Sequence, residues 1–220
     1  MPTFGSIVRR CTLLLTSLRA EGVGFIRTWS TVRRTVPGWL TGTDARLLYA
    51  LSHHGPAHGA IVEIGSAWGR STVILAAASK RAAREKVYAI DPHTGDRWYL
   101  EDEGKTAFSS LEQFRQNLER LDVADWVHEV VATSEDAARI VDTGGIRLLY
   151  IDGLHTYEAV RQDIVDWVKR VVPGGVVVFD DYSNTRSDVG VGRAVDELLA
   201  SGEVDPALRR ADRLVWTIKR

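Results

Sequence analysis

Asp152 and His155 in IDGLH, and Asp180 and Asp181 in VVVFDDY, put three carboxylates and an imidazole directly after two apolar runs, Leu148 to Ile151 and Val176 to Phe179. Both runs are strand-like and end abruptly in charge, which is where open α/β sheets carry their ligand sites. Asp152 and Asp180 differ by 28 positions, the length of one strand-helix-strand crossover, so adjacent parallel strands would bring both to one rim with Asp181 beside them. Hard oxygen donors without sulfur select magnesium, manganese or calcium over zinc, and magnesium keeps positions open for substrate oxygens such as those of a vicinal diol. His155 precedes the helix that carries Tyr157, and its ring would face the same cavity. The chemistry this suits is activation of a hydroxyl: a cation steadies the developing alkoxide and the imidazole takes the proton. Seen singly, an Asp-Asp pair usually caps a helix and a lone histidine is usually structural. Their conjunction at two strand ends favours a metal site formed by Asp152, Asp180 and Asp181 with His155 as base.

A second constellation lies upstream, in Glu63-Ile64-Gly65-Ser66-Ala67-Trp68-Gly69-Arg70-Ser71-Thr72. It reads as a strand, a turn with two glycines, and a helix opened by hydroxyl residues, where glycine allows a tight bend and close approach of a ligand. The Gly-x-x-x-Gly spacing lacks the middle glycine of the dinucleotide fingerprint, which argues against a pyrophosphate cradle. Glu63, two residues before the first glycine, suits a ligand carrying an ammonium group. Asp91, closing the next strand in VYAIDP, stands where a carboxylate accepts ribose hydroxyls in this kind of sheet. Ser134, after the following strand, is placed to reach an adenine. The plainer alternative is that the glycines serve helix-sheet packing and Asp91 caps the turn before Pro92.

These residues need a scaffold, and the hydrophobic pattern supplies one. Strands are expected at 61–64, 87–90, 127–131, 147–151 and 176–179, and helices at 71–84, 107–121, 134–141, 156–171 and about 190–200, with a final hairpin ending at Leu214 to Ile218. Alternation of this kind implies a doubly wound α/β sheet of Rossmann-like, mostly parallel type. Ahead of it, Leu14, Leu15, Leu18, Phe25, Ile26 and Trp29 recur at helical spacing until Pro37-Gly38, giving an N-terminal helical cap over 1–42 and one globular unit over 43–220. Asp163 and Asp166 are read as the solvent face of the helix after His155. His53, His54 and His58 are read as loop residues. The segment 92–106, with Trp98, Tyr99 and an acidic run, has the length of a substrate lid.

The motifs EIGSAWGRST, AIDP, LLYIDGLHTYEAVRQDI and PGGVVVFDDY resemble those of the class I S-adenosylmethionine-dependent methyltransferases. Within that class the chain is similar to the metal-dependent O-methyltransferases, in particular the branch of macrolide sugar O-methyltransferases, over about residues 45 to 185. The resemblance implies that Glu63, Gly65, Ser66, Gly69 and Ser71 surround the methionine end of the donor, Asp91 the ribose and Ser134 the adenine side. It also implies Mg2+ or Mn2+ as a second cofactor. The catechol branch uses a lysine where this chain has His155, which points to a saccharide or glycoside hydroxyl as acceptor. Two other readings stand beside it: a catechol-type phenol as acceptor, and a nucleotide-binding oxidoreductase, against which the glycine spacing counts.

Bulk properties narrow the partners. The 220 residues carry 28 basic and 29 acidic side chains, a net charge of -1, so nothing suggests nucleic acid. The single cysteine, Cys11, excludes an internal disulfide and fits a cytoplasmic location. Residues 11–18 form an apolar run too short to span a bilayer and read as an amphipathic helix. Exposed apolar positions in the N-terminal helices suit a homodimer contact.

Overall fold

Apolar residues that alternate along a strand must bury two faces at once, and the sheet does so. Ile61, Leu148, Tyr150, Val176 and Val178 enter one core cluster, while Val62, Ile64, Leu149, Ile151, Val177 and Phe179 enter the other. The structure, a computed structural model, describes residues 22–95, 109–186 and 188–220. Its elements in chain order are α1 (Gly22–Thr35), α2 (Gly42–His54), β1 (Ala60–Ile64), α3 (Arg70–Arg81), β2 (Val87–Ile90), α4 (Leu111–Arg120) and β3 (Val127–Val130). They continue with α5 (Ser134–Ile140), β4 (Ile146–Ile151), α6 (Tyr157–Trp167), β5 (Val171–Phe179), α7 (Val191–Ser201), β6 (Arg209–Arg210) and β7 (Val215–Ile218). Helices α1 to α4 pack their apolar faces on the first cluster, and α5 to α7 on the second.

The sheet order is β3-β2-β1-β4-β5-β7-β6. Strands β1 to β5 pair in parallel, and β7 enters antiparallel between β5 and β6. The order reverses between β1 and β4, so the crevice beyond their C-terminal ends is the place for a ligand. The expected doubly wound, mostly parallel sheet is thus present.

Two element boundaries differ from expectation for one reason. Pro173-Gly174-Gly175 reads as a turn, yet β5 starts at Val171 and runs through it, because Ile146 pairs with Val171 and Leu148 with Val176 across an irregularity that absorbs the extra residues. The helix before it therefore ends at Trp167, followed by a 3₁₀ turn over 168–170. His53 and His54 close α2 and are not loop residues. The early part of the expected N-terminal helix, with Cys11, and most of 92–106 lie outside the described residues. Among those described, no helix is long and apolar enough to cross a membrane.

The N-terminal helices dock onto the glycine turn. Arg70, at the start of α3, donates to the carbonyls of Val36 and Gly38, and Trp39 packs on Trp68 with ring centroids 5.6 Å apart. At the opposite rim, buried Arg147 pairs with Glu85 at 2.8 Å and donates to the carbonyls of Leu51 and Ser52 at the end of α2.

Candidate functional site

β1 ends at Ile64, and Gly65 turns the chain with φ 88°. A Cβ there would lie 2.0 Å from the carbonyl oxygen of Asp152, so the glycine is required by the neighbouring strand end as much as by any ligand. Gly69, at φ 86°, caps α3 with no side-chain hydrogen bond to the first-turn N–H groups of that helix. Glu63 is fully buried; its Oε2 accepts from the Thr72 hydroxyl, while Oε1 has no hydrogen-bond partner. Burial, opposed by the hydrogen bonds from Ser71 and Thr72 and reinforced by Asp152 and Asp91, lifts this carboxyl to about 8. Ser66 Oγ, in the same turn, is likewise buried and unpartnered. An orphaned carboxylate oxygen and an orphaned hydroxyl beside two positive-φ glycines fit a ligand with an ammonium group.

The other donor-side expectations meet a more occupied geometry. Asp91 accepts from the backbone N–H of Ala67 at 2.8 Å and of His93 at 2.6 Å, so its carboxylate pins the turn and has only its remaining lone pairs for a ligand. Ser134 is the first residue of α5 and not a strand end; its hydroxyl accepts from Trp167 Nε1 at 2.9 Å and donates to Asp163. Asp163 itself corrects the sequence reading. It is 6% exposed, in line with buried Val160 and Trp167 on the core stripe of α6, and burial raises its carboxyl to about 6.

The rim beyond β4 and β5 holds the predicted cluster. Asp152, His155 and Asp180 each offer a ligand atom, and these atoms lie within 4.8 Å of one another. The carboxylate oxygens of Asp152 and Asp180 suit a hard divalent cation, so this pair fits Mg2+ or Mn2+, with the His155 ring beside it. Asp152 Oδ2 accepts from the Tyr150 hydroxyl at 2.6 Å, and its Oδ1 lies 3.3 Å from His155 Nε2. Burial and then the charge of Asp152 push Asp180 up to about 8, in spite of Arg213 beside it. His155 is drawn down by burial, but its hydrogen bond to Asp152 and the charges of Asp152, Asp180 and Asp181 leave it raised.

Asp181 stands differently from its expected place among the ligands. It adopts φ 55°, its Oδ1 accepts from Arg213 Nε and Nη2 at 3.0 and 2.7 Å, and its Oδ2 accepts from Asn184 at 3.1 Å. Those bonds outweigh burial and hold it below the usual carboxylate range. His155 Nδ1 lies 3.5 Å from Asp181 Oδ2, so Asp181 steadies the imidazole from the side away from Asp152. Arg213, Tyr150 and Asn184 were not singled out from sequence; only Tyr150 carried a signal, two residues before Asp152 on the same face of β4.

A family model described as a methyltransferase domain matches residues 62–182, which spans β1 to the residue after Asp181. This chain belongs to that methyltransferase family. Among solved structures, the methyltransferase is similar to the O-methyltransferase NovP, with TM-score 0.67 and 21% identity over 83% of each chain. It is also similar to cofactor-bound Rv0187 from MTB, at TM-score 0.62 and 20% identity over 95% of each chain. A third, the O-methyltransferase TomG from Streptomyces achromogenes, solved with SAM, matches at TM-score 0.62 and 20% identity over 82% of this chain and 81% of that one. These likenesses establish the class I methyltransferase fold. A curated relative, the uncharacterized protein R132 of Acanthamoeba polyphaga mimivirus, is 43% identical over 63 residues, a match spanning 28% of either chain.

Proposed function

We propose that this methyltransferase transfers a methyl group from S-adenosylmethionine to a hydroxyl of a sugar or glycoside, with Mg2+ or Mn2+ held by Asp152 and Asp180 and with His155 as general base. The observation that carries the reading is the convergence of Asp152, His155 and Asp180 at two adjacent strand ends, with the Asp152 carbonyl packed on the turn glycine Gly65. The hydroxyl-activating and donor-binding constellations are thereby one crevice. The ligands of two similar structures, SAM in TomG and its demethylated product SAH in the Bacillus cereus O-methyltransferase, support the choice of cosubstrate.

Each side chain has a distinct task. The free Oε1 of Glu63 accepts from the donor's ammonium, and the glycine turn lets the donor lie against backbone. Asp91 fixes the turn by its two N–H acceptances and offers its outer lone pairs to ribose hydroxyls. When bound, the donor supplies an electrophilic methyl group and the cation offsets negative charge developing on the acceptor oxygen. Asp152 and Asp180 orient the acceptor from below, and Tyr150 keeps Asp152 in place. His155, braced by Asp181, takes the hydroxyl proton at Nε2, the nitrogen on the Asp152 side. Its proton affinity is raised, against burial, by the hydrogen bond to Asp152 and the charges of Asp152, Asp180 and Asp181, and a cation held by these carboxylates would favour the neutral ring that a base requires.

A sugar acceptor is favoured over a phenol because the base is an imidazole where the catechol branch has a lysine. Residues 22–42 form the described part of the cap over the donor turn in this proposal, and exposed Val23, Ile26 and Trp39 give it a face for a second copy. A cytoplasmic setting completes it. The test is methyl transfer from labelled S-adenosylmethionine to a panel of mono- and disaccharides and catechols, with Mg2+ and with EDTA. Expected are transfer to a saccharide with Mg2+ only, loss of turnover in Asp152→Ala and Asp180→Ala, and about 10²- to 10⁴-fold loss in His155→Ala. Undiminished transfer in EDTA removes the cation; transfer to catechols alone removes the sugar.

A further inference from the structure

Asp44, in the first turn of α2, is 1% exposed and far in sequence from every residue of the crevice. Its Oδ2 accepts from the Thr41 hydroxyl at 2.7 Å and the Arg213 N–H at 3.3 Å. Its Oδ1 accepts the N–H groups of Asp212 at 3.1 Å and Leu214 at 3.3 Å. Three successive backbone amides between β6 and β7 thus converge on one carboxylate. A carboxylate in a capping box turns back to the N–H of its own N-cap residue. Asp44 instead reaches across to another segment, and the cost of burying it there is offset by the hydrogen bonds it accepts from Thr41 and from the 212–214 backbone.

The segment it holds carries Arg213. Because β7 runs antiparallel to β5, with Val215 opposite Phe179, the residues just before β7 hang from the rim where β5 delivers Asp180 and Asp181. Arg213 Nη2 donates to Asp180 Oδ2 at 2.9 Å and to Asp181 Oδ1 at 2.7 Å, and Nε donates to the same Asp181 oxygen at 3.0 Å. One guanidinium therefore fixes the orientation of both carboxylates at the end of β5, and it binds Asp180 through Oδ2 alone.

We propose that Asp44 and Arg213 are positioning residues for the cation site: Asp44 clamps the 212–214 backbone, and the clamped Arg213 presents Asp180 in the orientation that receives the metal. This rests on the cation reading given above. α2 is then part of the site's assembly even though none of the candidate ligands among the described residues lies on it. The guanidinium also carries charge that repels a second cation. The sign of the effect of its removal separates the two roles, since loss of an orienting group weakens cation binding and loss of a mere counter-charge strengthens it.

The experiment measures Mn2+ binding to the whole chain by the electron paramagnetic resonance signal of the free ion. The variants are Asp44→Ala, Asp44→Asn, Arg213→Met and the Asp44→Ala/Arg213→Met double variant, with S-adenosylmethionine binding by calorimetry in EDTA as control. Outer partners of metal ligands are worth about 10- to 100-fold in affinity. Asp44→Ala and Arg213→Met are expected to weaken Mn2+ binding by about tenfold each, with donor affinity unchanged within about twofold. The double variant is expected to be no weaker than either single one, because both act through one contact. Asp44→Asn keeps one acceptor oxygen, so it should fall between wild type and Asp44→Ala and serves if the alanine variant does not fold. Unchanged Mn2+ affinity in a folded Asp44 variant, tighter binding in Arg213→Met, or losses that multiply in the double variant would overturn the proposal. If wild type binds no Mn2+, the cation reading fails, and the coupling is judged from the His155 ring resonances of the metal-free protein. Matching displacements in Asp44→Ala and Arg213→Met support the clamp; no displacement in Asp44→Ala overturns it.

Discussion

Glu63→Gln should make the empty protein more stable and the donor bind worse, and the two effects have one origin. The wild-type carboxyl moves from an ordinary 4.5 to about 8, chiefly by burial. A raised folded-state value means that the folded protein keeps a proton the unfolded chain has released. The stability it brings is therefore complete below about pH 4.5 and is lost as the pH climbs through about 8. A displacement of this size corresponds to about 5 kcal/mol across the window, of which about 3 kcal/mol is already gone at pH 7. Glutamine keeps the shape and can still accept from Thr72, yet has no charge to desolvate, so its stability profile should lack that slope. Denaturant titrations at pH 5, 6, 7 and 8 give the comparison, with the gap between variant and wild type widening as the pH rises. Donor binding runs the other way, because an ammonium paired with the free Oε1 favours the ionised carboxylate. With a value near 8, about nine-tenths of the empty protein holds the Glu63 proton at pH 7, so binding should release about 0.9 proton. Calorimetry in two buffers of different ionisation heat measures that release directly, and the Gln variant should show neither the release nor wild-type affinity, falling by about 10- to 100-fold. Equal proton release in both proteins, or parallel stability profiles from pH 5 to 8, would refute the assignment of an orphaned, proton-bearing Glu63 to the donor's ammonium.

Two further substitutions separate the rim that does chemistry from the rim that only supports it. Gly65→Ala places a Cβ 2.0 Å from the Asp152 carbonyl oxygen at a backbone φ of 88°. It should cost on the order of 3 kcal/mol, a drop in Tm of about 6 to 12 °C by calorimetric scan, together with weaker Mn2+ binding, since Asp152 must give way; a wild-type Tm would mean the turn is looser than the contact implies. Glu85→Gln, at the far ends of β1, β2 and β4, leaves the fully buried Arg147 without its carboxylate partner and should lower stability by about 3 kcal/mol while kcat stays at the wild-type value. Against the opposing effect of burial, hydrogen bonds from the backbone of Glu85 and Gly59, and after them the charges of Arg147 and Arg84, hold Glu85 down at about 2. Its contribution is therefore present above about pH 4.5 and lost as the pH falls toward 2; acid titration of wild type and variant should converge there, and persistence of the gap at pH 2 would contradict the ion pair.

What could be read from the residues divides according to the range of the interaction that fixes each feature. Asp152, His155 and Asp180 were legible because a short apolar strand has only one place to put its next polar residue, and parallel pairing of β4 with β5 then sets the distance between them. The same local logic located Glu63, whose alternation in β1 turns it toward Ser71 and Thr72 of α3. It does not reach Asp163, whose acidic side chain reads as solvent-facing although Val160 and Trp167 mark the buried stripe of the same helix. It fails differently at Asp181. Nothing local to FDDY distinguishes a carboxylate that faces a cation from one that faces a guanidinium, and the guanidinium arrives from position 213 only because β7 reverses direction beside β5. β6 and β7 form a short hairpin with no crossover helix between them, and β7 is the strand that enters antiparallel beside β5. A short final hairpin thus decides the charge environment of a site assembled mainly by parallel crossovers. For that reason the hold of Arg213 on Asp180, with which the proposed cation would have to compete, is a property of the folded rim, which no single motif in the chain encodes.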